Sequence, residues 1–388
     1  MPTSPSFART RSTPISSDWT ETERTEGSGG ERIRQAPRAA GPDRGARGGP
    51  GEGAPSVVAI GGGTGLSVTL RGLKRHVASP SPGRRAGEAA IGRLTGVVAV
   101  TDDGGSSGRL RRDFGVLPPG DVRNCIVALA DDEDVLARLF QYRFPNGGGL
   151  AGHSFGNLFL TALTGITGDF YQAVLTAESV LSVRGKILPA TLADLRLRGH
   201  GRSGRVYEGE SAIGTSGEWM ERVELEPAAP PAFAPAVSAL ARADVVLLGP
   251  GSLYTSVLPN LLIPGIRRAV AESAAPVVLL LNLMTQPGET DGMDGIAHLE
   301  ALARHAGEGL IDVVVANSTP LPREAVARYA DIGSVPVEVD PQAFRRAGVE
   351  LVRTDLLAEG DLIRHDPAKL AGAVLGLLAR SAEVRRAG

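Results

Sequence analysis

Short apolar runs alternate with amphipathic stretches through most of this chain, and the alternation predicts its elements. Ser56-Val57-Val58-Ala59-Ile60 reads as a buried strand running into Gly61-Gly62-Gly63-Thr64-Gly65, and residues 66–76 read as a helix. A second strand, 95–101, ends at Asp102-Asp103-Gly104-Gly105. Helical patterns follow at 121–130, 134–142, 153–163 and 169–180. Between about 186 and 226 the pattern becomes β-like, as in Leu192-Ala193-Asp194-Leu195-Arg196-Leu197 and Val223-Glu224-Leu225. Strands at 244–249, 276–282, 311–316 and 335–339 then alternate with helices near 233–242, 264–273, 294–306 and 322–330. Residues 349–352 predict a last strand and 367–380 a last helix. The fold class is therefore α/β: a Rossmann-like, mostly parallel sheet with helices on both faces, plus a small β-rich insertion.

Composition changes this picture at the N-terminus. Residues 1–55 have Met1, Phe7, Ile15, Trp19 and Ile33 as their large apolar side chains, too few to offset chain entropy. They read as a disordered tail, and 56–388 as a single domain. Residues 77–93 lack a core pattern and read as a surface loop. With 41 basic against 43 acidic side chains, the net charge of -2 removes the electrostatic case for nucleic acid as the main partner. Cys125 is the single cysteine, which excludes an intrachain disulfide. No apolar run approaches the ~20 residues of a membrane span, so the expectation is a cytoplasmic protein with no membrane span.

Ligands of such folds sit where the loops leave the carboxyl ends of the strands. Four glycine-rich loops lead toward helix starts: Gly61 to Gly65, Pro118-Pro119-Gly120-Asp121, Gly152-His153-Ser154 and Gly249-Pro250-Gly251-Ser252. Each offers unpaired N–H groups and a positive dipole end, which suits a phosphate. The first loop is neither a dinucleotide fingerprint, since Leu66 stands where glycine is needed, nor a Walker A loop. That disfavours an NAD-dependent dehydrogenase. A tight strand-to-helix turn is the plainer alternative.

Asp102 and Asp103 diverge at a strand end, so one of them faces the ligand, on magnesium or on a hydroxyl; an Asx-turn is the alternative. Magnesium on Asp103 is the one cofactor candidate. Asp121 reads equally as a ligand group or a helix N-cap, and Asn124 points toward the same crevice. Gly152-His153-Ser154-Phe155-Gly156 matches the G-x-S-x-G of serine hydrolases, but a loop precedes it where a nucleophile elbow needs a strand. Ser154 and Asn157 fit better as polar groups at a helix start, and His153 as a cap or packing residue as readily as a base. His298 and His305 read as solvated or half-buried.

Six strings together carry a resemblance: GGGTGLSVTLRGLK (61–74), TDDGGSSGRLR (101–111), GVLPPGDVRNCIVALA (115–130), GHSFGNLFLTALT (152–164), GPGSLYTSVLPNLL (249–262) and NLMTQPGET (282–290). The chain resembles, over roughly 57 to 380, the bacterial gluconeogenesis factor family, in the superfamily of 2-phospho-L-lactate transferase. The tail and the 77–93 loop stand outside the resemblance, and Thr101 replaces an alanine frequent in the family. The resemblance implies UDP-sugar binding, UDP-N-acetylglucosamine in particular, and a role in cell shape and envelope synthesis during gluconeogenic growth. It implies a cell-wall synthesis or regulatory protein as partner and leaves self-association open. It also associates a late Tyr and a late Arg, here Tyr329 and Arg364, with the UDP-sugar site; a half-buried Tyr and a surface Arg are the alternative. Tyr254, after the second phosphate-type loop, is a further candidate. The related transferase implies the competing expectation, a magnesium-dependent transfer reaction.

Overall fold

The computed structural model describes residues 54–78, 90–130, 135–145 and 147–387. The tail expected at 1–55 therefore lies outside the described residues up to residue 53, as do 79–89 of the expected loop. Chain order runs β1 (Ser56–Gly61), α1 (Gly63–Leu73), β2 (Arg93–Val98), α2 (Gly105–Phe114), α3 (Gly120–Leu129), α4 (Val135–Gln141), α5 (Phe155–Thr167), α6 (Phe170–Val180) and β3 (Lys186–Pro189). The insertion holds β4 (Arg196–Gly201), β5 (Val206–Glu208), the short α7 (Glu210–Gly214) and β6 (Met220–Glu226). The βα rhythm resumes with α8 (Ala234–Ala241), β7 (Val245–Leu248), α9 (Leu258–Leu261), α10 (Pro264–Ala271), β8 (Val277–Leu280) and α11 (Gly295–Ala306). It closes with β9 (Val313–Asn317), α12 (Arg323–Ala330), α13 (Pro341–Arg346), β10 (Glu350–Thr354) and α14 (Pro367–Ala387).

Seven strands form one sheet in the order β10-β9-β8-β7-β1-β2-β3, and every pairing in it is parallel. β7 and β8 are buried at every position, which is why they read as unbroken apolar runs. Alternation along β1 splits the core in two. Val57 and Ala59 pack with α1, α3 and α14, whereas Val58 and Ile60 pack with α8 to α11 and the insertion. The insertion is a separate antiparallel sheet, β5-β4-β6, whose Leu197, Met220, Val223 and Leu225 join that second cluster. The exposed positions of β4 and β6 are polar, as a sheet covered on one face requires, while β5 at the edge exposes Val206.

Three expectations need correction. The β-rich insertion begins after β3, because 186–189 pairs with β2 in the main sheet. Residues 335–339 form no strand: Val335 and Val337 bond the 283–285 loop, with a single bridge at Pro336, whose ring nitrogen has no proton to donate. His298 is buried, its Nδ1 bonded to the Asp294 carbonyl at 2.7 Å. Helix α2 went unread because Gly105-Ser106-Ser107-Gly108 has poor helix propensity, and contacts with neighbouring elements override it.

The strand order reverses direction between β1 and β7, so their loops open side by side into one crevice. The approach is close. A Cβ on Gly65 would overlap the Pro250 carbonyl and stand 2.8 Å from the Gly251 Cα. Gly65→Ala is therefore expected to lower stability by about 1–3 kcal/mol, the usual cost of overpacking. An unchanged urea-unfolding midpoint would show that the two loops part freely.

Candidate functional site

The crevice is built from two glycine loops whose backbones are held by side chains behind them. In the first, the Gly63 N–H donates to the Asp121 carboxylate, and a Cβ on Gly62 would lie 2.5 Å from Asp121 Oδ2. Thr64, in the first turn of α1, is exposed beside it. In the second, Asn282 at the end of β8 grips Gly251 from both sides: the Gly251 N–H donates to Oδ1 at 3.0 Å, and Nδ2 donates to the Gly251 carbonyl at 2.9 Å. Gln286 Nε2 donates to Ser252 Oγ at 2.8 Å. Asn260 Nδ2 ties the loops together by donating to the Gly61 carbonyl at 3.1 Å and the Ser256 carbonyl at 2.8 Å. Gly249 to Ser252 leads into an irregular turn, Leu253–Val257, and the short α9, so only the first loop opens a regular helix.

Carboxylates crowd the floor. Asp102 and Asp103 do diverge. Asp102 Oδ1 accepts the Gly104 N–H at 2.8 Å and its other oxygen lies against Gly120, at the start of α3 beside Asp121. Asp103, the carboxylate read as the metal ligand, turns to α7 and accepts the Ser211 N–H at 2.9 Å. Asp121 is not the cap of α3, a position held by Pro119; it sits buried in the first turn, as the second residue of the helix. Burial first, and Asp102 second, push its pKa up to about 7. Glu210, opening α7, is raised well above the usual carboxylate range by burial and then by Asp121 and Asp102, and its Oε2 has no hydrogen-bond partner. Glu289 is raised by burial and accepts the Tyr254 N–H at 3.3 Å and the Thr255 hydroxyl at 3.1 Å. Asn124 accepts from Arg123 Nη2 at 2.6 Å on the same helix.

The opposite wall is a polar network between α2 and α5. Arg109 Nε donates to His153 Nε2 at 3.1 Å, so the ring proton is assigned to Nδ1, which donates to Ser106 Oγ at 3.0 Å. His153 is thereby neutral, with its pKa lowered by burial and by Arg109. Asn157 Nδ2 donates to Ser106 Oγ at 3.1 Å and Ser107 Oγ at 3.4 Å, and the Gly120 N–H donates to Ser107 at 3.1 Å. Ser154 caps α5 by accepting the Asn157 N–H at 3.3 Å, is fully buried, and follows a loop. It has no elbow geometry.

The remaining candidates lie apart. Tyr254 brings its backbone to the crevice but its ring into the core, where it meets His305 edge-on at 5.8 Å. Tyr329 packs with Leu283, Met284 and Ile363, and Arg364 is exposed next to Ile363. Both therefore flank the loop that leaves Asn282. Sequence reading missed Ser106, Ser107, Asn282, Gln286, Glu289 and Glu210. The first five fall within strings quoted for the resemblance; Glu210 sits in the insertion without any signal. Among the described residues no three His, Cys, Asp or Glu side chains converge to hold a metal by themselves. No described helix is long and apolar enough to cross a membrane.

Known proteins share this architecture. The family described as 2-phospho-L-lactate transferase CofD matches residues 57–357. The gluconeogenesis factor of Bacillus subtilis is 43% identical over 325 residues, 84% of this chain and 98% of the relative. That of Halalkalibacterium halodurans is 44% identical over 321 residues, 82% and 95% of the two chains. A crystal structure of a Bacillus halodurans protein of the UPF0052 family superposes with a TM-score of 0.77 at 43% identity, covering 83% of this chain and 99% of that one. This chain belongs to the 2-phospho-L-lactate transferase CofD family, among its gluconeogenesis factors.

Two expectations follow from the site. A raised carboxyl pKa means the folded state holds a proton that the unfolded state releases, so stability falls as pH rises from about 4 to about 7. Asp121→Asn keeps an acceptor for Gly63 and removes the titration. Its stability relative to the unaltered protein should rise through that window by up to ~1.4 kcal/mol per pH unit, read from urea midpoints in chelator. A difference independent of pH would place the titration elsewhere. Ser154→Ala should cost about 1 kcal/mol as a lost cap. Labelling of Ser154 by a fluorophosphonate would contradict its structural role.

Proposed function

We propose that the crevice between β1 and β7 binds a UDP-sugar, UDP-N-acetylglucosamine in particular, and that the protein is a cytoplasmic regulator of envelope synthesis and cell shape during gluconeogenic growth. The observation that carries this reading is the meeting of two glycine loops at the switch point. The start of α1 there offers N–H groups to a phosphate. A helix N-terminus contributes about 0.3–1 kcal/mol toward an anion, whereas micromolar binding needs about 8. The remainder comes from base, ribose and sugar contacts, for which Tyr329 and Arg364, flanking the 282–284 loop, are the candidates. A ring to stack or hydrogen-bond and a guanidinium to pair with diphosphate suit those roles.

The crowded acids bear on the cofactor. A diphosphate entering beside Asp102, Asp121 and Glu210 would be repelled unless a divalent cation joined it. Magnesium is commonly held by one or two carboxylates plus substrate phosphates, which agrees with the lack of a three-ligand cluster. The Asp102–Asp121 pair fits such an ion better than Asp103, which is engaged at α7. Bound there, magnesium would neutralise phosphate charge. A cell-wall synthesis or regulatory protein would receive the signal.

The second reading, a magnesium-dependent transferase, is favoured by one feature: Asp121, raised to about 7, is poised to take a proton from a substrate hydroxyl near neutral pH. Turnover separates the two. Incubation with UDP-N-acetylglucosamine and magnesium, followed by chromatography, should return the ligand intact; nucleotide products would establish an enzyme. For the binding reading, Tyr329→Ala or Arg364→Ala should each lower UDP-N-acetylglucosamine affinity tenfold or more, ~1.4 kcal/mol, without unfolding the domain. Calorimetric titration giving unaltered affinity in both variants would move the sugar site elsewhere.

A further inference from the structure

A cavity of about 660 Å³ opens on the far side of Tyr254 from the crevice, between β6, the end of α11 and Leu262. Trp219, Val223 and Leu262 make its apolar wall, and Arg202, Arg222 and Arg304 bring cationic groups to it. The Arg202 guanidinium lies 5.5 Å over the Trp219 ring. Arg222 is already offset, 2.9 Å from Glu224. Arg202 and Arg304 are exposed and have no ion pair among the described residues. Glu221 is the one carboxylate in the lining.

His305 is a fixed wall here. Its Nε2 accepts the Val223 N–H at 3.0 Å and Nδ1 donates to the Ala301 carbonyl at 2.7 Å, so both nitrogens are engaged and the ring is neutral. Behind it, the Trp219 indole N–H faces the Tyr254 hydroxyl, yet neither atom closes a hydrogen bond. The cavity thus combines a half-buried indole, an apolar wall and two arginines without anionic partners. A packing role would account for the arginine over the indole, but not for Arg304 held at the same opening.

We propose that this cavity is a second ligand site, for a small phosphorylated molecule with a flat ring, a mononucleotide in chemical class. Arg202 and Arg304 present planar forks of N–H donors, the geometry that recognises phosphate oxygens. The wall of Trp219, Val223 and Leu262 accepts a ring. Glu221 offers an acceptor to an exocyclic amine, which favours adenine or guanine over uracil. The site therefore differs from the crevice in both place and preferred base, and it does not depend on the UDP-sugar reading.

The chain has two tryptophans, Trp19 and Trp219, so Trp19→Phe leaves Trp219 as the sole indole reporter. Titration of that full-length protein with ADP should change Trp219 emission saturably. Arg202→Ala and Arg304→Ala, checked for unaltered melting, should each weaken ADP tenfold or more, while Asp121→Asn in the crevice leaves the ADP affinity unchanged. Absence of a saturable signal, or full ADP affinity in both arginine variants, overturns the proposal. So does a loss confined to Asp121→Asn, which would put ADP in the crevice. An Asp/Glu-rich peptide that titrates Trp219 where ADP does not would make the cavity a peptide groove instead.

Discussion

The contact on which this structure depends is the close approach of two backbones at the centre of the sheet. β1 and β7 are parallel neighbours whose connections leave in opposite directions, which opens a gap between their loops. For the gap to be a binding crevice, the loops must sit against each other without side chains in the way. Gly65 against Pro250 meets that need, and Asn260, bonded to the Gly61 and Ser256 carbonyls, keeps it from relaxing. The apolar runs behind the loops serve the same end. Val57, Ile60, Val245 and Leu248 are fully buried, so the strands cannot slide to relieve crowding at their ends.

Charge then sets the character of the crevice. The loops alone would attract any anion, yet Asp102, Asp121 and Glu210 stand below them, two with strongly raised pKa values. Groups that burial and mutual repulsion hold partly protonated give up that proton readily to an arriving cation. On the proposed reading the pair of loops and the acid floor are complementary halves of one site: the loops would address phosphate oxygens and the acids whatever balances them. The α2–α5 network adds rigidity without charge, because Arg109 fixes His153 as the neutral tautomer facing Ser106.

Much of this was legible in the sequence, for physical reasons. Fully buried parallel strands leave unbroken apolar runs, and β1, β7, β8 and β9 could be read directly from them. Glycine loops at strand ends mark the crevice because only glycine permits that approach. What stayed hidden depends on contacts far apart in sequence. α2 looks like a poor helix until Asn157 and Gly120 bond its serines. Residues 335–339 look like a strand because Val335, Val337 and Val339 alternate, but their partner is a loop rather than the sheet. The divergence of Asp102 and Asp103 was readable from strand geometry; which of them would face Asp121 was not, since that depends on α7, 108 residues further on.

The insertion is what joins these parts. α7 takes the Asp103 carboxylate at Ser211 and delivers Glu210 to the acid floor. A few residues later Ser216 donates to the Gly288 carbonyl at 3.3 Å, pinning the loop that carries Gln286 and Glu289. The next residues, Trp219 to Val223, wall the cavity behind Tyr254, and Val223 bonds His305 on α11. A segment of the chain shorter than one domain thus touches the crevice from one side and the second cavity from the other. Tyr254 stands between them, its N–H on Glu289 and its ring against His305. One residue, two positions beyond the second glycine loop, thus touches both the carboxylate beside the crevice and the ring that walls the cavity. The small sheet thereby contributes to the walls of both openings, although its own strands hold little of the core.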